Sequence, residues 1–292
     1  MSRPNLEKLT RVEFSNLDKV LYSEAGITKA QVIEYYVRIA PRMLKILVDR
    51  PLALARFPDG IDKPGFYEKD APLGTPPWVK TFTRYSETAQ RQVHYVVCNS
   101  LDTLLWLANL AALELHIPMS RIDRFDKPDL ILFDVDPNPP ANSDNAVETA
   151  LLLKEKLDAL GLESYVKTSG RRGLHVVIPI IREHTFKQTR EFVHQIAKQL
   201  NRESSTIISE FQRMKTPGTV YIDYLQNSHG KTMVCPYSLR ALPQATISIP
   251  LDWKEVKKGL KPEEFTIIKT MKINGNPWEK LLTKEQRLDV KT

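Results

Sequence analysis

The stretch Leu130-Ile131-Leu132-Phe133-Asp134-Val135-Asp136 constrains this chain more than any other. It reads as an apolar β-strand that ends in two carboxylates and is closed by Pro137-Asn138-Pro139-Pro140. Side chains on a strand alternate between faces, so Asp134 and Asp136 project from the same face at its end. Neighbouring carboxylates repel, and unless protonated they need a cation. Hard oxygen ligands suit Mg²⁺ or Mn²⁺, which can bridge carboxylates to substrate phosphates. An isolated Asp-x-Asp before proline is also what a turn or a cap uses, so the context has to decide.

That context is mixed. Downstream, the pattern predicts helices over residues 146–160 and 185–200 and strands over 164–168, 174–181 and 220–225. Upstream, Thr28 and Gln31 have capping-box spacing ahead of a helix that carries Val32, Ile33, Tyr36, Val37, Ala40, Leu44 and Leu47 on one face and bends at Pro41. Residues 50–57 read as a strand and 64–80, rich in Pro and Gly, as a long loop. Residues 92–97 read as another strand, and Ser100 caps a buried helix running to Leu115. Such alternation points to an α/β or α+β sheet protein. A change of character near residue 120 divides one domain, residues 1–292, into a smaller N-terminal lobe (10–120), a catalytic lobe (121–270) and a peripheral tail (271–292).

A net charge of +7 favours polyanionic partners, although solvated surface charge gives the same sum. The only two cysteines, Cys98 and Cys235, have no metal-ligand spacing and form no disulfide framework, which fits a reducing cytoplasm. The N-terminus lacks the apolar core of a signal peptide. No run approaches the roughly 18 apolar residues of a membrane span, so neither secretion nor a membrane partner is expected.

A second constellation is Thr168-Ser169-Gly170-Arg171-Arg172-Gly173-Leu174-His175, a glycine-bracketed loop between two strands. Glycines let backbone approach phosphate closely, while Ser and Arg supply matching donors; a basic hairpin turn with a packed histidine is the plainer alternative. Asp223 lies in the apolar run Tyr221-Ile222-Asp223-Tyr224-Leu225, where a lone carboxylate is costly, so a metal or an arginine should relieve it. Arg240 is a candidate for either a salt bridge with Asp223 or a triphosphate contact. Three carboxylates, a cationic loop and a positive balance together fit two-metal phosphoryl transfer.

On these residues the chain resembles the polymerase domain of prokaryotic DNA ligase D, of the archaeo-eukaryotic primase superfamily. The matching motifs are Asp134-Val135-Asp136-Pro137, Ser169 to His175, and Tyr221 to Asn227. Further matches are Asn16 to Tyr22, Arg56 to Gly60, Phe66 to Lys69, Leu113-Glu114-Leu115-His116 and Tyr237 to Ala241. The resemblance implies a primase-polymerase fold with a central, mostly antiparallel sheet flanked by helices. It also implies a nucleotidyltransferase that fills gaps and extends 3′ ends in non-homologous end joining, preferring ribonucleotides. Asp134, Asp136 and Asp223 would hold two Mn²⁺ or Mg²⁺ ions. Ser169, Arg172, His175, Gln226, Arg240 and Arg56 would contact the nucleoside triphosphate, with His116 close by.

By the same resemblance Phe66 and Tyr67 would stack on template bases, where pattern alone reads core packing. Lys19 and Lys29, with Asn16, would bind a downstream 5′-phosphate, where pattern alone reads solvated lysines. Partners would be DNA ends with gaps or overhangs, a Ku-like end-binding protein and a DNA ligase, in a prokaryotic, nucleoid-associated setting. Ala55 stands where some relatives carry a second basic residue, and Arg172 where some carry lysine. The polymerase pattern occupies the whole chain, which leaves open a standalone polymerase or a piece of a larger ligase. Competing readings are a primase that starts chains unprimed, a non-catalytic module bridging DNA ends, and a metal-dependent nuclease, for which the loop 169–175 has no triphosphate to hold.

Overall fold

The computed structural model describes residues 10–86, 90–270 and 275–288. The N-terminal residues 1–9 and parts of the expected 271–292 tail lie outside the described residues. Strands β1 (Val20–Tyr22) and β2 (Ile27–Thr28) lead into helix α1 (Lys29–Leu47). The capping box forms as expected: the Thr28 hydroxyl accepts from the Gln31 backbone, and the Gln31 side chain accepts from Thr28 N at 2.8 Å. The helix continues through Pro41.

Strand β3 (Ala53–Arg56) pairs antiparallel with β4 (Phe66–Glu68), so the stretch 64–80 is not all loop. Strands β5 (Thr81–Ser86) and β6 (Arg91–Val96) form a separate hairpin. Helix α2 (Leu101–Asn109) is capped by Ser100 but ends well short of Leu115. Ala111 takes a left-handed conformation, φ 54°, and the chain re-emerges as β7 (Ala112–Pro118). A left-handed residue commonly stops a helix, and glycine usually supplies it. Here alanine does, so composition did not mark the end.

The second half runs β8 (Leu130–Pro137), α3 (Ser143–Ala159), β9 (Tyr165–Thr168), β10 (Leu174–Pro179), α4 (Phe186–Glu203), β11 (Ile207–Ile208) and β12 (Val220–Ile222). It continues with β13 (Thr232–Val234), β14 (Pro250–Leu251) and the short α5 (Ile267–Thr270). The expected strand 220–225 stops at Ile222, and Tyr224–Asn227 wind into a 3-10 turn. Among the described residues no helix is long and apolar enough to cross a membrane.

A six-stranded sheet has the order β11-β12-β8-β10-β9-β14, and a four-stranded sheet the order β13-β7-β3-β4. Only β11 and β12 run parallel among these pairs, so the mixed fold with a mostly antiparallel central sheet is as expected. Strand β13, from the second half, completes the sheet of the first.

On β8, Ile131, Phe133 and Val135 are buried, and the Phe133 ring meets Phe192 of α4 with centroids 6.4 Å apart. Burying each such side chain stabilises by about 1.5–3 kcal/mol. Helices α3 and α4 therefore cover the odd-numbered face of β8, and alternation turns Asp134 and Asp136 to the other face.

Candidate active site

Strand β8 lies between β10 and β12, and register decides what meets its carboxylates. His175 pairs with Asp134 across β10, and Lys167 on β9 pairs with His175. On the other side Asp223 N donates to Asp134 O at 2.9 Å. Lys167, His175, Asp134 and Asp223 thus form one row across four neighbouring segments, with Asp136 one pleat further along. The three acids expected at the site are brought together.

Their charges strain one another. Burial pushes the Asp134 carboxyl above the usual range, against the pull of Lys167 and Arg240. Asp136 is raised chiefly by the Asp134 charge, then by partial desolvation and by Asp223, although the residue itself is exposed at the surface. Asp223 is raised by burial and by Asp134, although it accepts from Leu225 N at 3.0 Å and from the Tyr221 hydroxyl at 3.2 Å. Mutually repelling carboxylates on one face fit a divalent cation that would neutralise them. Among the described residues no three His, Cys, Asp or Glu side chains form a ready-made metal cage.

Behind the acids, His175 Nε2 lies 3.2 Å from Asp134 Oδ1, while its buried Nδ1 has no hydrogen-bond partner among the described residues. Burial, with the charges of Lys167 and Arg240, holds its pKa well below the imidazole range, so the ring is neutral. Lys167, which sequence reasoning missed, is fully buried and donates to Ser248 Oγ at 2.6 Å. Burial lowers its pKa to about 7.

The basic loop is closed by Ser169 N donating to Gly173 O at 3.0 Å. A Cβ on Gly173 would sit 2.5 Å from Val135 O and 3.0 Å from Asp136 Oδ1, so only glycine lets the loop lie against the acid-bearing strand. Gly170 has φ +74°, and a Cβ there would sit 2.5 Å from Arg240 Cγ. Ser169 is buried with its Oγ accepting from Arg171 N at 3.2 Å, while Arg171 and Arg172 are exposed. Arg240 Nη1 donates to Ser169 O at 3.1 Å, which joins it to the loop.

Arg240 does not pair with Asp223, as the pattern had allowed. Its Nε lies 3.2 Å from Glu114 Oε1, because the arm after β13 runs back past β7. Glu114 also accepts from Ala241 N at 2.9 Å and from His116 Nε2 at 3.0 Å. Burial acts to raise the Glu114 pKa, but the His116 hydrogen bond and the Arg240 charge outweigh it and hold it at about 2. The helix expected to reach Leu115 hid this residue; read as a strand, Glu114 and His116 share one face of an apolar run.

Tyr67 joins this edge: its ring is 5.6 Å from that of His116, and its hydroxyl is 3.0 Å from Thr232 Oγ1. Phe66 and Tyr67 are 44% and 52% exposed, which overturns core packing for both. Neighbours on one strand point to opposite faces, so they do not share a stacking surface. The Arg56 guanidinium lies over the Phe66 ring at 5.1 Å, bonds Glu68 at 2.8 Å and donates to Leu110 O at 3.3 Å, which commits it away from the His116 edge. Gln226 is half-buried on the 3-10 turn beyond Asp223. Its neighbour Asn227, also missed, accepts from Leu132 N at 2.9 Å and donates to Leu132 O at 2.6 Å, extending the ladder where β12 has ended.

Asn16, Lys19 and Lys29 form a separate group. Asn16 turns the chain at φ 51° and accepts from Lys19 N at 3.0 Å, and Lys29 N donates to Lys19 O at 2.8 Å. Lys29 is only 5% exposed, with Nζ on Ser15 O at 2.9 Å; burial and the nearby Lys19 charge lower its pKa. Lys19 reaches Asp59 at 2.7 Å and Pro58 O at 2.8 Å.

A family model described as the LigD primase-polymerase domain matches residues 28–278. The chain is 34% identical over 275 residues to the bifunctional non-homologous end joining protein LigD of Bacillus subtilis, covering 92% of this chain and 44% of that protein. It is 32% identical over 256 residues to the multifunctional non-homologous end joining protein LigD of Mycolicibacterium smegmatis, covering 86% and 33%. It therefore spans less than half the length of these relatives. Among solved structures, the polymerase domain of Mycobacterium tuberculosis ligase D in complex with DNA superposes with a TM-score of 0.86 at 29% identity, covering 94% of this chain and 99% of that one. With the family match extending over most of its length and the carboxylate strand, basic loop and arm all inside it, the chain belongs to the LigD primase-polymerase domain family.

Proposed function

We propose that this chain is a DNA-directed nucleotidyltransferase that fills gaps and extends 3′ ends at double-strand breaks in non-homologous end joining, with ribonucleotides preferred. The observation that carries the reading is the row Asp223, Asp134 and His175, with Asp136 beside it, facing a glycine-bracketed loop that presents Arg171 and Arg172. When bound, two Mn²⁺ or Mg²⁺ ions supply the positive charge that steadies the attacking 3′-hydroxyl and the departing pyrophosphate. Asp134, Asp136 and Asp223 would hold them. Arg172 and Arg240, with Ser169, would orient the triphosphate oxygens. The neutral His175 offers an uncharged nitrogen behind Asp134, and Gln226 and His116 flank the nucleotide.

Tyr67, exposed beside His116, would stack on a template base, with Phe66 exposed on the other face of β4, while Asn16, Lys19 and Lys29 would receive the downstream 5′-phosphate. The chain acts as one domain whose lobes are residues 10–120 and 121–270; of the segment 271–292, expected to be peripheral, the described residues pack into the second lobe through the buried Trp278, whose Nε1 donates to Val166 O at 3.0 Å. A Ku-like end-binding protein and a DNA ligase would be its partners, in a prokaryotic cytoplasm where Cys98 and Cys235 stay reduced.

The test is extension of a gapped duplex with a downstream 5′-phosphate in Mn²⁺, with ribo- or deoxyribonucleotides, comparing wild type with Asp136→Ala. Aspartate-dependent extension, faster with ribonucleotides and on the phosphorylated gap, is expected. Wild type that binds ends without extending them would leave a bridging module, and dinucleotide synthesis on an unprimed template would make the chain a primase.

A further inference from the structure

Glu114 is a buried carboxylate that touches three groups from two parts of the fold. His116 lies on β7 of the four-stranded sheet, and Arg240 and Ala241 lie on the arm that rests against the basic loop of the six-stranded sheet. Glu114 is 6% exposed and none of its contacts belongs to the carboxylate row. A charge so placed is costly unless fully partnered, and here both oxygens are engaged. We propose that Glu114 is the positioning residue of the nucleotide site. It sets the separation of His116 and Arg240 and so matches one triphosphate-binding edge to the other.

Two consequences follow from the atoms. Because an ionised carboxylate can only accept, the neutral His116 ring carries its proton on Nε2 and leaves Nδ1 as its acceptor nitrogen. Arg240 Nε lies 3.2 Å from Glu114 Oε1 in an ion pair without a hydrogen bond among the described residues, and Nη1 donates to Ser169 O, so Nη2 is the nitrogen proposed to meet an incoming anion. The backbone bond from Ala241 to the same oxygen that faces Arg240 pins the arm itself, so the guanidinium is held at both its root and its head. Aspartate, one methylene shorter, cannot reach His116 and Arg240 together. Glutamine can keep the Ala241 bond but loses the charge that holds Arg240.

The inference rests on the nucleotidyltransferase reading, and the experiment separates the two. Binding of a non-hydrolysable ribonucleoside triphosphate in Mn²⁺ is measured by calorimetry, alongside primer extension, for wild type, Glu114→Gln, Glu114→Asp, Arg240→Gln and the Glu114→Gln/Arg240→Gln pair. Melting curves identify any variant that is not folded. Glu114→Gln should raise the nucleotide Kd and KM by roughly tenfold or more, the scale of a lost charge-assisted hydrogen bond, with kcat changed much less. Glu114→Asp should fall between it and wild type.

In the Arg240→Gln background, Glu114→Gln should cost clearly less than it does in wild type, because only its hold on His116 remains to be lost and residues that act through one another are not additive. End binding should stay unchanged. Wild type that binds the triphosphate in a Glu114-dependent way without extending DNA would remove the enzyme reading and keep the proposal. A Kd within about twofold of wild type in folded Glu114→Gln, full additivity with Arg240→Gln, or no triphosphate binding by wild type would overturn it.

Discussion

Replacing Asp136 by Asn should abolish extension and at the same time make the metal-free protein more stable. Asp136 accepts no hydrogen bond among the described residues, and its pKa is raised first by the charge of Asp134. Two positions apart on β8, the carboxylates are separated by roughly 6.6 Å at about 3.3 Å per residue. At an effective dielectric of about 20 that repulsion is at most roughly 2.5 kcal/mol; Asp136 is exposed, so solvent screening cuts it to about 1 kcal/mol, which Asn removes without changing the shape of the side chain. For a domain of this size the gain corresponds to a melting temperature higher by about 2 °C.

Melting in a chelator at pH 8 and again with Mn²⁺ tests this. Wild type should gain stability with the ion, by about 2.7 kcal/mol at a hundredfold excess over Kd, and the Asn variant should gain far less. The sign with pH follows from the same shifts. The folded pKa values of Asp134, Asp136 and Asp223 are raised, so the folded state binds more protons. The cluster's contribution is therefore greatest below the ordinary carboxylate pKa and is lost as pH rises through the raised values. A variant that melts at or below wild type in chelator, or that gains as much from Mn²⁺, would refute the electrostatic reasoning.

Gly173→Ala should cost extension at least tenfold, since its Cβ must displace Val135 O or Asp136 Oδ1; single-turnover rates in saturating nucleotide would show it. Asn227→Ala strands the buried N–H and C=O of Leu132 and should destabilise by roughly 2–4 kcal/mol in urea unfolding, with activity regained at low temperature. Lys29→Met should reduce the preference for a 5′-phosphorylated gap by roughly 1–2 kcal/mol in anisotropy titrations while leaving unphosphorylated ends bound as before.

Much of this was legible because its signals are local. Period-two alternation in residues 130–136 placed both acids on one face, and Thr28-x-x-Gln31 gave the start of α1. The motif order supplied Asp223 and the loop at 169–173. What stayed hidden depends on register or on an unmarked stop. Ala111, an alanine in a glycine's conformation, ended α2 without a compositional cue, so β7 was absorbed into a helix and Glu114 had no visible role. Arg240 is a candidate partner for Asp223 in the sequence because a lone carboxylate in an apolar run needs one. Only the arm's return past β7 shows that its partner is Glu114. Phe66 and Tyr67 looked like core because exposure is decided by the sheet edge on which β4 lies.

The position of β13 carries a consequence for how the chain acquires its activity. Residues 232–234 complete a sheet begun at residue 53, and the arm that follows ties Glu114 of that sheet to the basic loop beside Asp136. The contacts that join the carboxylate row to its cationic edge therefore link segments far apart in sequence. Such pairings are slow to form, since loop closure must precede the contacts that reward it. A chain with only one of its sheets in place would present acids without their cationic edge. Nucleotide turnover should thus emerge late in refolding, in step with the last long-range pairing, and its recovery after dilution from denaturant would time the assembly of the whole molecule.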